Sequence, residues 1–501
     1  MLESLLLGFS VALTPDNLAY CLVGVFVGTL IGVLPGIGPL ATIAMLLPIT
    51  FNLPPISSLI MLAGIYYGAQ YGGSTTSILV NLPGEVSSVV TTLDGYQMAR
   101  QGRAGPALAI AALGSFFAGS VSTMVVALFA PPLAEVALRF GQAEYFSLMA
   151  LGLVGAVALA RGSILSAFTM VFLGLLLGLV GTDVYTGTAR FTFGIPELAD
   201  GIGFVQVAMG VFGVGEVITS LERGEAREAL TSRVRGLVPT RADLRASWKP
   251  VLRGTAVGSL LGVLPGGGAL LASYASYALE RRLAADPSRF GRGAIEGVAG
   301  PESANNAGAQ TSFIPMLTLG LPSNAVMALM IGAMTIHGIV PGPQVMTQRP
   351  QLFWGLIASM WIGNLLLVVL NLPLIGIWIQ LLRVRYRLLF PAILVFSAIG
   401  VYSLNNSPFD VALTAVFGVL GYVFTKLDCE PAPFMLAFIL SPMMEESLRR
   451  AMLLSRGDPT VLVTRPISLA FLLSAALLLL AVVVPTVRRK RADAFQEGLN
   501  P

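Results

Sequence analysis

Long uninterrupted apolar runs constrain the fold of this chain more than any other feature. Ser163–Gly181 and Ile467–Pro485 contain no charged residue, and each has the roughly 20-residue length that crosses a bilayer as a helix. Only 11% of all residues are charged, whereas soluble proteins have about 25%. Because the runs are continuous rather than alternating, they exclude a membrane β-barrel. The sequence therefore predicts an all-α polytopic membrane protein with about 12 membrane elements.

Basic residues divide the chain and orient it. The segment 222–253 is the longest polar stretch and carries eight Arg and Lys residues. Basic loops remain in the cytoplasm, which predicts a cytoplasmic linker between two membrane repeats, 1–221 and 254–466. The segment 467–501 is predicted to form a final membrane helix with a basic cytoplasmic tail. The net charge of +4 therefore indicates orientation in a membrane and not nucleic-acid binding.

Internal matches predict that the two membrane halves are duplicates. Four short segments recur in the same order, 230 to 243 residues later: Val27–Gly38 with Val257–Gly268, Gly68–Gln70 with Gly308–Gln310, Leu82–Gly84 with Leu321–Ser323, and Thr92–Gly95 with Thr335–Gly338. Met1–Asn17 lacks Arg and Lys, whereas the linker and the C-terminus are basic. An outside N-terminus, and hence an inverted repeat with helix-breaking discontinuous segments, is therefore expected.

Two matching polar stretches interrupt the apolar sequence. Gly300–Asn324 is rich in hydroxyl and amide side chains, and Glu302 is its one charged residue. Pro315 and Pro322 are expected to break any helix through it. Irregular polar backbone at membrane depth is stable only where it lines a cavity or is surrounded by protein. Gly68–Glu85 is a weaker copy, so we predict that the two stretches are halves of one binding site.

Broken helices at matching places in two halves are typical of a transporter's substrate site. Exposed N–H groups at such a break hold an anion, and carbonyl, hydroxyl and amide oxygens suit a hard cation. The candidate substrate-binding residues are Pro35, Gly36, Gly38, Gly73, Ser74, Thr75, Thr76, Gly266, Gly267, Pro322, Ser323 and Asn324. The candidate cation-binding residues are Asn81, Ser303, Asn305, Asn306, Thr311 and Ser312. The alternative is that the Gly and Ser residues only let helices pack closely.

Ionisable residues within apolar surroundings are functional candidates because they are costly there. Glu85, Glu302 and His337 are candidates for a proton or a structural role. For His337, the only His of the chain, a structural hydrogen bond and a proton or substrate role remain open. Asp94-Gly95 is typical of a turn, so Asp94 is expected at a helix end facing interfacial water.

Several segments resemble the large membrane subunit of tripartite tricarboxylate transporters. They are Gly32–Pro39, Tyr67–Ser77, Asn81–Glu85, Leu93–Ala99, Gly297–Ala307 and His337–Pro343. The resemblance extends from about Leu18 to Pro485, with two small departures. The second turn, Leu264–Gly268, lacks a following Pro, and Gln97 stands where Pro is frequent in the family.

This resemblance implies a permease of the bacterial inner membrane that works with a periplasmic solute-binding protein and a small membrane subunit. It implies uptake of a tricarboxylate or another organic carboxylate, driven by a Na⁺ or H⁺ gradient, with no cofactor and no metal beyond a transported Na⁺. The alternative is the membrane component of an ATP-driven or channel-like carboxylate uptake system. The chain has no Gly-x-x-x-x-Gly-Lys phosphate loop, but a partner could supply one.

An enzyme is not expected. One His cannot form the His-Glu-x-x-His motif of a metalloprotease, and no Gly-x-Ser-x-Gly elbow presents a nucleophile. Cys21 and Cys429 are isolated thiols, which indicate neither a disulfide framework nor a metal site. The N-terminus lacks the basic region and the cleavage site of a signal peptide.

Overall fold

The computed structural model of the chain describes residues 1–34, 38–160, 163–183, 185–223, 236–264, 268–382 and 386–483. The helices before the linker are α1 (Leu2–Ala12), α2 (Pro15–Val33), α3 (Pro39–Thr50), α4 (Pro55–Val80), α5 (Val89–Thr91), α6 (Gln97–Arg100), α7 (Ala104–Ala137), α8 (Gln142–Leu159), α9 (Ile164–Gly178), α10 (Phe204–Ala208) and α11 (Gly215–Arg223). Shorter 3₁₀ turns at Val86–Ser88 and Pro196–Leu198, and π-helical turns at Thr92–Tyr96 and Met209–Val214, join some of them.

The second half is also helical. Its helices are α12 (Arg241–Leu261), α13 (Gly268–Leu283), α14 (Glu296–Thr311), α15 (Phe313–Leu319), α16 (Ala325–Ile336), α17 (Gln344–Gln348), α18 (Pro350–Asn371), α19 (Ile375–Leu381), α20 (Tyr386–Asn405), α21 (Pro408–Lys426), α22 (Pro431–Leu454), α23 (Val461–Thr464) and α24 (Pro466–Val483), with a 3₁₀ turn at Pro287–Arg289.

The predicted all-helical membrane class is confirmed. Among the described residues, five helices are long and apolar enough to cross a membrane: Pro15–Val33, Ala104–Ala137, Phe204–Glu222, Pro350–Asn371 and Pro408–Lys426. Several shorter apolar helices, including α3, α8, α9, α16 and α24, accompany them.

Helix α12 begins inside the segment that the sequence indicated as linker. Thr240 Oγ1 accepts from Asp243 N at 3.1 Å, and Asp243 Oδ2 accepts from Thr240 N at 3.0 Å. This reciprocal pair is a capping box, which satisfies N–H groups that a helix start leaves without partners. Asp243 also pairs with Arg103 at 2.5 Å. The cap and the ion pair explain why the helix starts at Arg241 despite the polar sequence.

Two pairs of parallel helices form the centre of the fold, α2 with α4 and α12 with α14. Their backbones touch through glycines. A Cβ on Gly28 would lie 2.8 Å from Ile65 Cα, and a Cβ on Gly258 would lie 2.8 Å from Ala304 Cα. Real side chains do not tolerate this distance, so only small residues permit the close approach. Both pairs therefore place the polar segments of α4 and α14 against another helix.

Each half supplies a helix that packs on the other half's pair. Helix α7 of the first half lies on α14, and α18 of the second half lies on α4. A Cβ on Gly363 of α18 would lie 2.8 Å from the hydroxyl of Tyr67 on α4. The polar segments of α4 and α14 are therefore enclosed on several sides, and their side chains are buried.

A peripheral bundle of α8, α9, α22 and α24 has its own apolar cluster, which includes Met149, Val157 and Leu440. Ser147 Oγ and Ser468 Oγ are hydrogen-bonded at 2.6 Å within it. This bundle adjoins the main core, since Phe434 of α22 belongs to the main core and Leu321 of the second polar stretch belongs to the bundle's cluster.

A two-stranded ribbon follows α9, a small addition to the predicted all-α fold. Strand β1 (Gly181–Thr182) pairs antiparallel with β2 (Ala189–Arg190). Asp183 holds the turn, because its Oδ1 accepts from the backbone N–H of Tyr185 at 2.8 Å and its Oδ2 pairs with Arg449 at 2.7 Å. The Tyr185 N–H, more than any other group, holds the pKa of Asp183 below its usual value.

Candidate functional site

Both polar stretches contain a helix that ends in a left-handed cap. Asn81 closes α4 with φ 57°, and Gly320 closes α15 with φ 70°. Gly and Asn are the residues that adopt this conformation most readily. Leu82–Gly84 and Leu321–Ser323, which match in sequence, follow the two caps directly. The structure gives Asn81 the role of a C-cap with an exposed side chain. Its predicted role as a cation ligand stays a prediction.

The break in the first stretch is shorter than expected, since Gly73, Ser74, Thr75 and Thr76 all lie inside α4. Hydroxyl groups can stay in a helix by bonding to the carbonyl four residues earlier. The Thr76 hydroxyl lies 3.1 Å from Gly72 O and 3.1 Å from Gly32 O of the neighbouring helix α2. The helix therefore continues to Val80, and only the residues after it are irregular.

The second stretch is also mostly helical. Pro322 lies in the break, as expected. Pro315 does not break the helix by itself, because it lies in the first turn of α15, where the absent N–H costs no helical bond. Ser303, Asn305 and Asn306 lie on α14, which continues through Pro301 to Thr311.

Glu302 is the central buried charge of the site. It lies on α14 with 0% of its surface exposed. Ser74 Oγ of the first half donates to Glu302 Oε2 at 2.5 Å, and Thr91 Oγ1 donates to Oε1. No described Lys, Arg or His forms an ion pair with it. An ionised carboxylate without a cationic partner is expensive in such a place.

A second carboxylate, Glu85, lies close to the first and is partly exposed. Asn305 Nδ2 donates to Glu85 Oε1 at 3.2 Å, and Ser87 Oγ donates to the same oxygen. Ser87 Oγ is also 2.6 Å from Asn305 Oδ1 and 2.9 Å from Gln70 Oε1. Negative charges on both Glu85 and Glu302 would repel each other. Both predicted polar stretches thus meet in one cluster of hydroxyls, amides and two carboxylates.

The structure does not bring the predicted cation ligands to one point. Asn305 faces Glu85, whereas Asn306 Nδ2 donates to Ser115 Oγ on α7 at 2.7 Å. Thr311 faces α12, where its hydroxyl is 3.5 Å from Gly258 O. Ser303 and Ser312 donate to carbonyls of their own helix segment. The reason is geometric, since neighbouring residues of a helix point about 100° apart.

Ser323 and Asn324 lie directly before α16, near Gly268 at the start of α13. Asn324 Oδ1 accepts from Met327 N at 3.0 Å, and its Nδ2 donates to the Tyr66 hydroxyl at 3.3 Å. Ser323 Oγ donates to Ser312 O at 3.2 Å. A Cβ on Gly268 would lie 3.5 Å from Asn324 Nδ2.

Of the other predicted substrate residues, Gly38 is the residue directly before α3. Pro35, Gly36, Gly266 and Gly267 lie outside the described residues.

The prediction that Asp94 faces interfacial water is wrong, because its side chain is buried, with 0% of its surface exposed. It lies in the π-helical turn Thr92–Tyr96, and its Oδ1 accepts from Gly293 N and Ala294 N at 2.8 Å each. Tyr277 donates its hydroxyl to Oδ2 at 2.9 Å. These donors come from the second half, about 200 residues away in sequence. Asp94 therefore joins the first half to the segment that precedes α14, and we call this contact the Asp94 latch.

His337 makes a related contact at the end of α16. Its Nε2 is hydrogen-bonded to Ser58 Oγ, at 3.1 Å, near the start of α4. The Ser58 hydroxyl in turn donates to Thr50 O at 2.7 Å. We call this contact the His337 latch. The hydrogen bond is the structural alternative that the sequence left open, and a proton role stays a prediction.

Sequence reasoning missed Ser87, Thr91 and Ser115, which bond to Glu85, Glu302 and Asn306. Each is a common residue type in an ordinary apolar or loop context, so no local signal marks it. The pairing becomes visible only when the two halves are placed together.

Residues 18–436 match the Tripartite tricarboxylate transporter TctA family. The chain belongs to this family. It is accordingly a membrane transporter component for tricarboxylates and not an enzyme.

Two relatives of this TctA-family chain come from Agrobacterium vitis. It is 60% identical over 497 residues, 99% of each chain, to an uncharacterized 52.8 kDa protein in the TAR-I ttuC′ 3′ region. It is also 60% identical over 240 residues to an uncharacterized protein in the TAR-II ttuC′ 3′ region, a match that covers 48% of this chain and 99% of the relative. No solved structure matches the chain.

Family membership makes this chain a multi-pass membrane protein of a bacterial transporter family. Transporters of the family are tripartite, which implies a binding protein and a small membrane subunit as partners.

Proposed function

We propose that this chain is the large permease subunit of a binding-protein-dependent secondary transporter. It imports a tricarboxylate or another organic carboxylate through the bacterial inner membrane, driven by a Na⁺ or H⁺ gradient. A periplasmic solute-binding protein delivers the substrate, and a small membrane subunit completes the complex. The observation that carries this proposal is the cluster around Glu302 and Glu85, where the polar segments of α4 and α14 from different halves meet.

The charge of this cluster supports coupling to a cation. Two carboxylates, with hydroxyl and amide groups around them, lie together without a basic partner among the described residues. Such a cluster favours a cation and repels a lone anion. An anionic substrate would therefore bind together with Na⁺ or H⁺, which is the behaviour of a symporter.

The substrate carboxylates would bind beside two irregular segments, Leu82–Gly84 after α4 and Leu321–Ser323 before α16. Ser323 and Asn324 precede α16, and the first N–H groups of a helix carry a partial positive charge. Asn324 and Tyr66 already form a hydrogen bond there, next to Gly268. In the first half, a Cβ on Gly84 would lie 2.7 Å from Gly73 Cα. The segment Leu82–Gly84 therefore packs directly against the polar segment of α4.

Matching contacts support a duplication of the two halves, and the charge pattern of the sequence favours an inverted one. Gly28 touches Ile65, and Gly258 touches Ala304, although the two pairs lie 230 and 239 residues apart in the sequence. The left-handed caps Asn81 and Gly320 are also 239 residues apart. Inverted repeats place these equivalent elements at opposite membrane faces. With a cytoplasmic linker and C-terminus, the N-terminus lies outside.

The two latches support alternating access. Asp94 and His337 occupy matched positions in the halves, and each contacts the segment where the other half's polar helix begins. In an inverted repeat the latches close opposite sides of the site. Transport then requires that one latch opens while the other remains closed.

The driving force is testable by uptake in cells that express all three subunits. Ionophores that collapse the Na⁺ and H⁺ gradients, with ATP held constant, should abolish carboxylate uptake. Uptake that survives the ionophores and stops on ATP depletion would establish the ATP-driven alternative. Uptake that follows only the carboxylate gradient would establish a channel.

The site is testable in the same assay. Asn305→Ala removes a hydrogen bond to a carboxylate, and such bonds contribute about 1.5–3 kcal/mol, so uptake should fall at least about tenfold. Ser74→Ala should have a similar effect through Glu302. Ser147→Ala in the peripheral bundle is the matched control and should retain uptake. Wild-type uptake by both site variants, with wild-type ion dependence, would refute the site.

A further inference from the structure

A small cavity lies near Glu302, because Ser74, whose hydroxyl donates to Glu302, is one of its lining residues. Its polar lining residues are Tyr71, Ser74 and Thr75 of α4, Ser115 of α7 and Asn371 of α18. Apolar side chains complete the lining: Leu108, Ala111, Ala112, Leu372 and Ile375. Its volume is about 10 Å³, which is the space of one water molecule or one bare small ion. Five of the lining side chains carry oxygens, a set that neither polar stretch of the sequence indicated as a whole.

Two of these oxygens have no hydrogen-bond partner among the described residues. The Tyr71 hydroxyl is one of them, and this side chain is only 3% exposed. Asn371 Oδ1 is the other, because Asn371 Nδ2 donates to Leu367 O at 2.9 Å and leaves the oxygen free. Buried polar atoms are rarely left without a partner. Both atoms therefore indicate a missing ligand in the cavity.

The cavity is connected to the buried negative charge. The Ser74 hydroxyl lines the cavity and donates to Glu302 Oε2 at 2.5 Å. Ser115 lines it as well and accepts from Asn306 Nδ2 at 2.7 Å. A hydroxyl that donates its proton to a carboxylate presents its lone pairs on the other side. The cavity thus contains oxygen lone pairs next to an uncompensated carboxylate, which is an environment for a hard cation.

We propose that this cavity binds one Na⁺ ion, with Tyr71, Ser74, Thr75, Ser115 and Asn371 as oxygen ligands and Glu302 as the balancing charge. Oxygen ligands select a hard cation. The bound ion neutralises Glu302 without a basic residue. The inference rests on the proposed function only in identifying this ion as the coupling ion; binding itself requires neither substrate nor partner subunits.

The test measures Na⁺ binding to the purified full chain in detergent, without any carboxylate. NaCl replaces choline chloride at constant ionic strength, a parallel series uses KCl, and the unfolding temperature is followed by Trp fluorescence. A ligand that binds only the folded state raises this temperature in a saturable way. We expect a rise of about 1–4 °C with NaCl and none with KCl beyond the choline control.

Three variants assign the rise to the cavity. Glu302→Gln should abolish it, because the balancing charge is lost. Thr75→Val and Tyr71→Phe keep the shape and remove one oxygen each, so each should raise the Na⁺ concentration for half-maximal effect about tenfold. These two conservative variants keep the test valid if Glu302→Gln does not fold. Ser147→Ala, which removes a buried hydroxyl from the peripheral bundle, should retain the full response.

Specific outcomes overturn the site. One is that the unfolding temperature of the wild-type chain shows no Na⁺-specific rise. The other is that the rise persists unchanged in Glu302→Gln or in both conservative variants. The unfolding temperature of the wild type could also be equal in NaCl and choline chloride and depend on pH through Glu302. That result would mean that a proton, and not Na⁺, neutralises Glu302.

The outcomes for the site and for the proposed function are separable. Na⁺ binding in this cavity without gradient-driven uptake would refute the proposed function alone. Na⁺-driven uptake with unchanged Na⁺ binding in the variants would refute the site alone.

Discussion

Replacing Asp94 tests whether the Asp94 latch holds one side of the protein closed. Asp94→Ala removes the acceptor of two backbone N–H groups, those of Gly293 and Ala294. Leaving a buried N–H without a partner costs about 1–3 kcal/mol. With about 1.5 kcal/mol for each, the closed form loses about 3 kcal/mol, or about 150-fold in its equilibrium with an open form.

Asp94→Asn is the matched control for this loss. Its carboxamide oxygen can still accept from both N–H groups, and its NH₂ can donate to the Tyr277 hydroxyl. We therefore expect a cost of only about 1 kcal/mol, or about fivefold. Asn has nearly the volume of Asp, so a small loss in Asp94→Asn beside a large loss in Asp94→Ala shows that the negative charge is not what holds the latch.

The assay follows the rate at which a thiol reagent modifies a reporter behind the latch. Val298→Cys is suitable, because Val298 is 0% exposed and a Cβ on Gly95 would lie 3.6 Å from it. Cys21 and Cys429 are replaced by Ala in all samples. When opening is rapid, the modification rate follows the population of the open form. The rate should rise about 150-fold with Asp94→Ala and about fivefold with Asp94→Asn.

Two results would refute this reasoning. Equal rates in the two variants would mean that the N–H contacts do not hold the segment closed. A second reporter, Leu153→Cys in the peripheral bundle, distinguishes opening from unfolding. If its rate rises as much as that of Val298→Cys, Asp94→Ala destabilises the whole fold and the contact is not a latch.

Three further predictions concern other parts of the fold. Gly28→Val should lower the stability of the protein by about 3 kcal/mol, because its side chain would collide with the backbone of α4. Gly38→Ala should stay within about 0.5 kcal/mol in the same thermal unfolding assay, because no atom of the described residues lies within 4 Å of the added carbon. His337→Ala removes one hydrogen bond to Ser58, so a buried thiol reporter in α16 should react about fivefold faster, and an unchanged rate would argue against the His337 latch. The stabilisation from the lowered pKa of Asp183 is present above about pH 4, the pKa in an unfolded chain, and is lost as the pH falls through the lower folded value. Asp183→Asn should remove this acid-dependent step, measured as cleavage of the ribbon by pepsin at successive pH values; an identical pH profile for wild type and variant would contradict it.

The chemical logic of the site differs from that of a conventional anion pocket. Carboxylate binding by proteins usually uses Arg or Lys, whereas the described cluster has two carboxylates of its own and no basic partner. A carboxylate substrate therefore needs a co-bound cation and oriented N–H groups. This requirement ties substrate binding to the ion and is a physical basis for coupled transport.

Hydropathy and local motifs determined the class of this protein. Apolar runs require helices in a membrane, because every backbone polar group must be satisfied within its own segment. The short matches between the halves predicted where the irregular segments lie, and Leu82–Gly84 and Leu321–Ser323 do follow helix ends. The polar residues of Gly300–Asn324 were recognisable because so few polar groups occur elsewhere in the apolar sequence.

The tertiary structure alone decided what these polar residues contact. Glu302 bonds to Ser74 and Thr91, which lie more than 200 residues earlier, and the partner of Asn306 is Ser115 on α7. Local periodicity carries no information about such pairs, because helix packing across the two halves brings them together. The same packing buries Asp94, whose sequence is typical of an exposed turn, and keeps Ser74 and Thr75 in a regular helix. Sequence therefore predicted the polar segments, and only the packing of the halves against each other showed that they share one buried charge.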